Sequence, residues 1–212
     1  PDNVLVLDSV RPWENVRLHG EDVKRGESLV ATGEAQTIGK ITLMAAVGIS
    51  SLRVGKQPTV GLLASGSELR EPGQPLGPGQ IYESNRTGLA ELIRQAGGVP
   101  RIYPLVPDRL GETRAALQEA FADCDIVISS GGASVGEMDF IKNAFEEFGG
   151  RLQFWRVAIK PGKPFIFGTH LGKCLFGLPG NPVSAFVTFL LLVRPALRRW
   201  QGASDVNLTT HS

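Results

Sequence analysis

From Thr59 onward, apolar runs of four to seven residues alternate with amphipathic stretches whose apolar positions recur at three- and four-residue steps. A strand buried on both faces reads as a continuous apolar run, and a helix covering it reads with a 3.6-residue period. The alternation therefore confines this part of the chain to a mainly parallel sheet with helices on both faces. The predicted strands are Thr59–Ala64, Val99–Val106, Asp125–Ser129, Phe154–Ile159, Pro164–Gly168 and Cys174–Leu178. The predicted helices are Asn85–Ala96, Leu110–Ala122, Asp139–Phe148 and Pro182–Trp200. In the last, Phe186, Phe189, Leu190, Val193 and Leu197 form one apolar stripe, which predicts packing on the sheet. The expected fold class is a three-layer α/β domain over residues 58–202.

Residues 1–57 have another texture: VLVLDSV, then the Gly- and charge-rich NVRLHGEDVKRGESLVATGE, then ITLMAAVGI. Short strands and turns followed by one helix of about three turns are predicted there. So few strands do not close a sheet alone, so a partial β-rich segment is expected, with its remainder upstream. Residues 203–212 read as a tail. No internal repeat stands out.

Lys and Arg number 22 against 21 Asp and Glu, a net charge of +1. No global field favours nucleic acid or an anionic membrane, so an anionic ligand has to be held by local geometry. Cys124 and Cys174 sit singly in apolar surroundings, without the paired spacing of a metal site, and read as buried thiols. The longest apolar stretch, Ala185 to Val193, is far short of a membrane span, and no leader pattern opens the chain. A cytoplasmic location is the expectation.

Ligands of such sheets gather beyond the carboxyl ends of the strands. After the first strand comes a loop of about twenty residues, long enough to suggest function. It carries Glu68 near its start and Asn85 at its end, where the amide could cap a helix or reach a ligand. After the third strand, Ser129-Ser130-Gly131-Gly132-Ala133-Ser134-Val135-Gly136-Glu137-Met138-Asp139 runs into a helix. Adjacent glycines let amide hydrogens converge at a positively polarised helix start, the construction of a phosphate cradle. Ser130, Gly131, Gly132, Ser134 and Gly136 are its candidate contacts. The loop is neither a Walker sequence nor the dinucleotide fingerprint.

Lys160-Pro161-Gly162-Lys163-Pro164 sets two ammonium groups on a stiff corner, suited to a dianion or a tetrahedral oxyanion, with Arg156 as a third cation. Pro179-Gly180-Asn181 opens the closing helix, with Asn181 as cap and Pro182 at the first helical position, and offers further free amides. Asp108 follows the second strand. Together Glu68, Asp108 and Asp139 make three carboxylates on three strand ends, a set that favours a divalent cation at a phosphate. Asp108 and Asp139 are the candidate metal ligands.

SSGGASVGEMDF, AIKPGKPF and GLPGNPVSA, in this order and spacing, together with ASGSEL and IYESN, resemble the signature segments of the MoeA and gephyrin E-domain family over about Asn15 to Trp200. The resemblance implies a molybdopterin-binding fold and a transferase that inserts molybdenum from molybdate into adenylylated molybdopterin, releasing AMP with help from magnesium. It implies that Glu68, Asp108, Asp139, Lys160 and Lys163 act in the reaction. Asn85, Arg156, the glycine loop and Pro179 to Asn181 would bind the pterin substrate. It also implies a homodimer, to whose boundary Asp22 belongs, and an adenylyltransferase partner from the same pathway. Ser67 stands where relatives often have Asp, and the family's N-terminal segment and C-terminal β-barrel have no counterpart here. Two other readings stay open: a molybdopterin-binding scaffold without turnover, and a MogA-like adenylyltransferase.

Overall fold

A computed structural model describes residues 3–131 and 138–206, with only the backbone of Met138 and Asp139. The chain divides into two compact units, Pro1–Leu52 and Arg53–Ser212.

Among the described residues of the first unit no strand forms, contrary to the predicted short strands. The unit is built from turns and one helix, α1 (Ile38–Ala46), shorter than predicted and started by Thr37, whose Oγ1 accepts the Lys40 N–H at 3.4 Å. The turns follow one pattern. At Arg11–Glu14, Leu18–Glu21, Lys24–Glu27 and Ala31–Glu34 the fourth N–H donates to the first carbonyl, at 3.0 to 3.2 Å. In each, the Glu carboxylate returns to accept the first residue's N–H, at 2.7 to 3.0 Å. The third residue is left-handed: Trp13, Gly20, Gly26 and Gly33 have φ of 69°, 78°, 88° and 80°. These are type II turns, which need a positive φ at that place. The segment thus holds an internal repeat after all, one of backbone conformation rather than of apolar pattern. Extended stretches lie between the turns without a ladder, and Met44 is the one buried hydrophobic residue of the described part of this unit.

The second unit has the predicted architecture. Its elements are β1 (Thr59–Ser65), β2 (Leu69–Arg70), β3 (Ile81–Tyr82), α2 (Asn85–Gln95), β4 (Val99–Val106), α3 (Leu110–Asp123), β5 (Ile126–Gly131), α4 (Met138–Glu147), β6 (Arg151–Trp155), β7 (Ile166–His170), β8 (Lys173–Leu178), α5 (Pro182–Thr188) and α6 (Arg194–Trp200). The main sheet has the order β4-β1-β5-β8-β7-β6. Its first three pairings are parallel, while β7 pairs antiparallel with both β8 and β6.

Side chains alternate between the two faces, as the pleat dictates. Val60, Leu62, Ile126, Ile128, Phe176 and Leu178 join Leu89, Ile93, Phe189, Val193 and Leu197 in one core. Leu63, Val127, Ile166 and Leu175 join Leu117, Phe121, Ile141 and Phe145 in the other. Burying each large apolar side chain contributes about 1.5–3 kcal/mol, which makes these two layers the main stabilising feature.

Two elements depart from expectation. The strand predicted at Phe154–Ile159 is Arg151–Trp155, because Arg156 takes a left-handed φ of 80° and turns the chain away. On this open edge Phe154 and Trp155 are exposed, so an apolar run there does not mean burial. The strand that follows starts at Ile166 rather than Pro164, which has no N–H for a ladder. The closing helix is also not uniform: Phe189–Val193 forms a π-helical turn between α5 and α6. Pro195 explains it, since it cannot donate to the Leu191 carbonyl and its ring crowds that oxygen, so the turn widens.

Candidate functional site

The ladder register brings the carboxyl ends of four strands together. Ser65 of β1 pairs with Val106 of β4 on one side and Gly131 of β5 on the other, and Ser130 pairs with Leu178 of β8. The turn from β6 to β7 leaves from the same edge, with Ile166 beside Gly177. The loops bearing Asp108, Glu68, Gly131, Gly180 and the two lysines therefore line one edge of the sheet. Gly131 is a glycine for space and not for angle: its φ is not positive, but a Cβ would lie 2.4 Å from the Ser65 carbonyl oxygen. Gly132, Ser134 and Gly136 lie outside the described residues, as does the side chain of Asp139.

Between these loops lies a cleft of about 300 Å³, walled by Glu68, Leu69, Ile81, Tyr82, Glu83, Ser84, Asn85, Ser130, Gly131, Gly180, Asn181 and Pro182. Ser84, not Asn85, is the cap residue of α2. The Asn85 amide instead donates to Ser130 Oγ at 2.8 Å and to the Gly180 carbonyl at 2.7 Å. A carbonyl only accepts, so the amide nitrogen has to face it. This leaves Asn85 Oδ1 as a buried acceptor without a partner among the described residues. Asn181 is the cap predicted for α5: its Oδ1 accepts the N–H groups of Val183 and Ser184 at 3.0 and 3.3 Å, with Pro182 at the first position. Pro179, just before it, is buried.

Asp108 Oδ2 accepts the Ser67 N–H at 2.7 Å, which ties the β4 loop to the β1 loop. Glu68 stands in the cleft wall. Among the described residues no three acidic, His or Cys side chains gather as a metal-binding set. Lys160 and Lys163 are exposed on the neighbouring turn and do not line the cleft, nor does Arg156. That turn contains a cis Lys160–Pro161 bond and is seated by Gly162, where a Cβ would come 2.5 Å from Thr188 Cγ2 of α5. The Val157 N–H to Lys163 carbonyl bond, 3.1 Å, closes it. Arg156 lies just past the end of β6, and its guanidinium sits 4.6 Å over the Trp155 ring.

One constellation escapes sequence reasoning. The buried Arg86 donates from Nε to Glu83 Oε2 at 2.7 Å and from Nη2 to both Glu71 oxygens at 2.8 Å, while Nη1 donates to the Tyr103 carbonyl. Glu83 is as deeply buried as Arg86, at 4% and 3% side-chain exposure. Burial works against the guanidinium's charge, but the hydrogen bonds to Glu71 and Glu83 outweigh it and hold the Arg86 pKa above its ordinary value. The only sequence signal was the i, i+3 spacing of Glu83 and Arg86.

The chain is similar to proteins that are already known. Molybdopterin molybdenumtransferase of Haemophilus influenzae is 43% identical over 201 residues, which are 95% of this chain and 50% of that protein. Molybdopterin molybdenumtransferase 2 of Mycobacterium tuberculosis is 37% identical over 209 residues, 96% of this chain and 52% of that protein. The crystal structure of the molybdopterin biosynthesis MoeA protein from Pyrococcus horikosii matches with a TM-score of 0.79 at 36% identity, covering 88% of this chain and 46% of that one. The chain thus spans about half the length of the relatives it matches. Residues 61–199 match the family model described as a probable molybdopterin binding domain, and the chain belongs to that family.

Proposed function

We propose that the protein carrying this chain inserts molybdenum from molybdate into adenylylated molybdopterin and releases AMP. The observation that carries the reading is the meeting, at one sheet edge of a molybdopterin-binding domain, of the Asn85–Ser130–Gly180 wall with the Lys160 and Lys163 turn. In this reading the cleft holds the pterin adenylate, and the phosphoanhydride bond is hydrolysed: a water oxygen bonds to the adenylate phosphorus and the pterin phosphate leaves. The two dithiolene sulfurs then bond to molybdenum as one molybdate oxygen departs as water with the two thiol protons. Lys160, Lys163 and Arg156 neutralise the anions, and catalysis comes from positioning and charge stabilisation. A bound magnesium ion would offset phosphate charge, with Asp108 and Asp139 as its proposed ligands. Of these, Asp108 already spends one oxygen on the Ser67 N–H, and the described residues hold no three-residue donor set. A homodimer, an adenylyltransferase supplying the substrate and a cytoplasmic site of action belong to the same proposal.

The test is AMP release from adenylylated molybdopterin with molybdate and magnesium present, using the full-length protein. Lys160→Ala is expected to slow release by about 100-fold, as loss of one charge-stabilising donor does. Unchanged release would refute the assignment of Lys160, and tight binding of the pterin adenylate with no release by the unaltered protein would make this a binding module.

A further inference from the structure

The 66–84 loop is too long to be rigid by its length alone, yet it carries an internal scaffold. Strands β2 and β3 pair in parallel, with Ile81 N–H donating to the Glu68 carbonyl and Glu83 N–H to the Arg70 carbonyl, both at 2.9 Å. Two turns lie between them. Gln74 N–H donates to the Glu71 carbonyl and Gln80 N–H to the Gly77 carbonyl, with Gly73 and Gly79 left-handed. Tyr82 Oη donates across the loop to the Gln74 carbonyl at 2.9 Å. This ribbon supplies Glu68, Leu69, Ile81 and Tyr82 to the outer wall of the cleft.

By itself a two-stranded ribbon of two residues each is marginal in water. The Ser67–Asp108 bond ties down the start of the loop, and Arg86 on the first turn of α2 joins the paired strands to the rest of the domain. Its guanidinium holds Glu71 and Glu83, which follow the two parallel strands side by side at the carboxyl end of the ribbon, and the Tyr103 carbonyl in β4 of the main sheet. Glu83 also accepts the Arg86 N–H at 2.9 Å, so the pair is closed on itself. A planar fork can bridge two carboxylates and a carbonyl at fixed angles, which an ammonium cannot do.

We propose that Arg86 is the positioning residue of the cleft: it clasps the 66–84 ribbon to the main sheet, so that the outer wall stands formed before any ligand arrives. It acts through Glu68 and Tyr82 and touches no substrate itself. The claim of a preformed wall stands on the geometry alone, while its consequence for binding rests on the function proposed above.

Glu71→Gln is the informative variant, because Glu71 is half exposed and its loss leaves the buried Glu83–Arg86 pair intact. Amide hydrogen exchange of the ligand-free chain is expected to show Ile81 and Glu83 losing protection about tenfold, with the amides of β1 and β5 unaltered. In the full-length protein, KM for adenylylated molybdopterin is expected to rise at least threefold, with kcat moving less than KM. Arg86→Lys, which keeps the charge and loses the fork, should loosen the same amides. Unchanged protection in Glu71→Gln would overturn the clasp, and loosened amides with an unchanged KM would overturn the positioning role. If the unaltered protein neither binds nor turns over the pterin adenylate while the amides respond as expected, the functional reading fails and the clasp stands.

Discussion

Residues 11–34 and residues 66–84 are written with the same four-residue turn and end up in different physical situations. In the first region four turns follow one another, each closed by its own Glu, and the extended stretches between them stay largely exposed. In the second, Gly77–Gln80 repeats the device with an amide: Gln80 Oε1 accepts the Gly77 N–H at 2.9 Å. Here the turn lies in a ribbon held by a buried Arg86. Local turn chemistry therefore specifies a shape, and a long-range buried charge pair decides whether that shape is held against a core.

The two regions differ most at Arg86. Arg86→Met leaves Glu83 as a buried carboxylate without its partner, and the domain is expected to lose about 3–5 kcal/mol of unfolding free energy, measured by urea titration. A loss below about 1 kcal/mol would mean that the pair does not separate the two regions energetically. A smaller effect is expected from paired substitutions in the turns. Gly79→Ala and Gly26→Ala both meet open space, so each is charged only for a left-handed residue, about 1–2 kcal/mol. The difference lies in where the cost shows. For Gly79 it should appear in global unfolding, because the ribbon is coupled to the core. For Gly26 it should appear as local exchange of the Glu27 amide, with little change in the main transition. Equal effects on the global midpoint would erase the distinction. Least of all is expected from Glu27→Gln, since Gln80 shows that an amide oxygen closes the same turn. Its thermal transition should superimpose on that of the parent, and a marked downward shift would show that carboxylate charge matters in the first region.

Much of the second unit was legible because its signal is periodic. Val99–Val106 appears with the predicted bounds, and β1, β5, β8, α2, α3 and α4 fall within a few residues of theirs. Loops at the carboxyl ends also line a cleft, as expected from strands that are parallel and adjacent. Legibility failed where a single residue outweighs the pattern. The left-handed Arg156 ended a strand inside an apolar run, and Pro195 widened a helix whose apolar stripe reads as unbroken. Asn85 stood between two roles in the sequence, and only the proximity of β5 and the β8–α5 loop assigns its amide to Ser130 and Gly180. The role of Arg86 is not legible in the sequence, because Glu71, fifteen positions away, meets it only after the ribbon folds back.

What the sequence by itself determined is whatever depends on neighbours in the chain: the period of the strands and helices, the Asn181 cap with its proline, and the glycines that place turns. These follow from steric and hydrogen-bonding rules acting over a few residues. Tertiary structure alone decided which carboxylate met Arg86, which oxygen received the Asn85 amide, and that the lysine turn stands beside the cleft and not within its wall. Such pairings are made between residues far apart in the chain, and their strength comes from the exclusion of water, which exists only once the sheet and its two helical layers have closed.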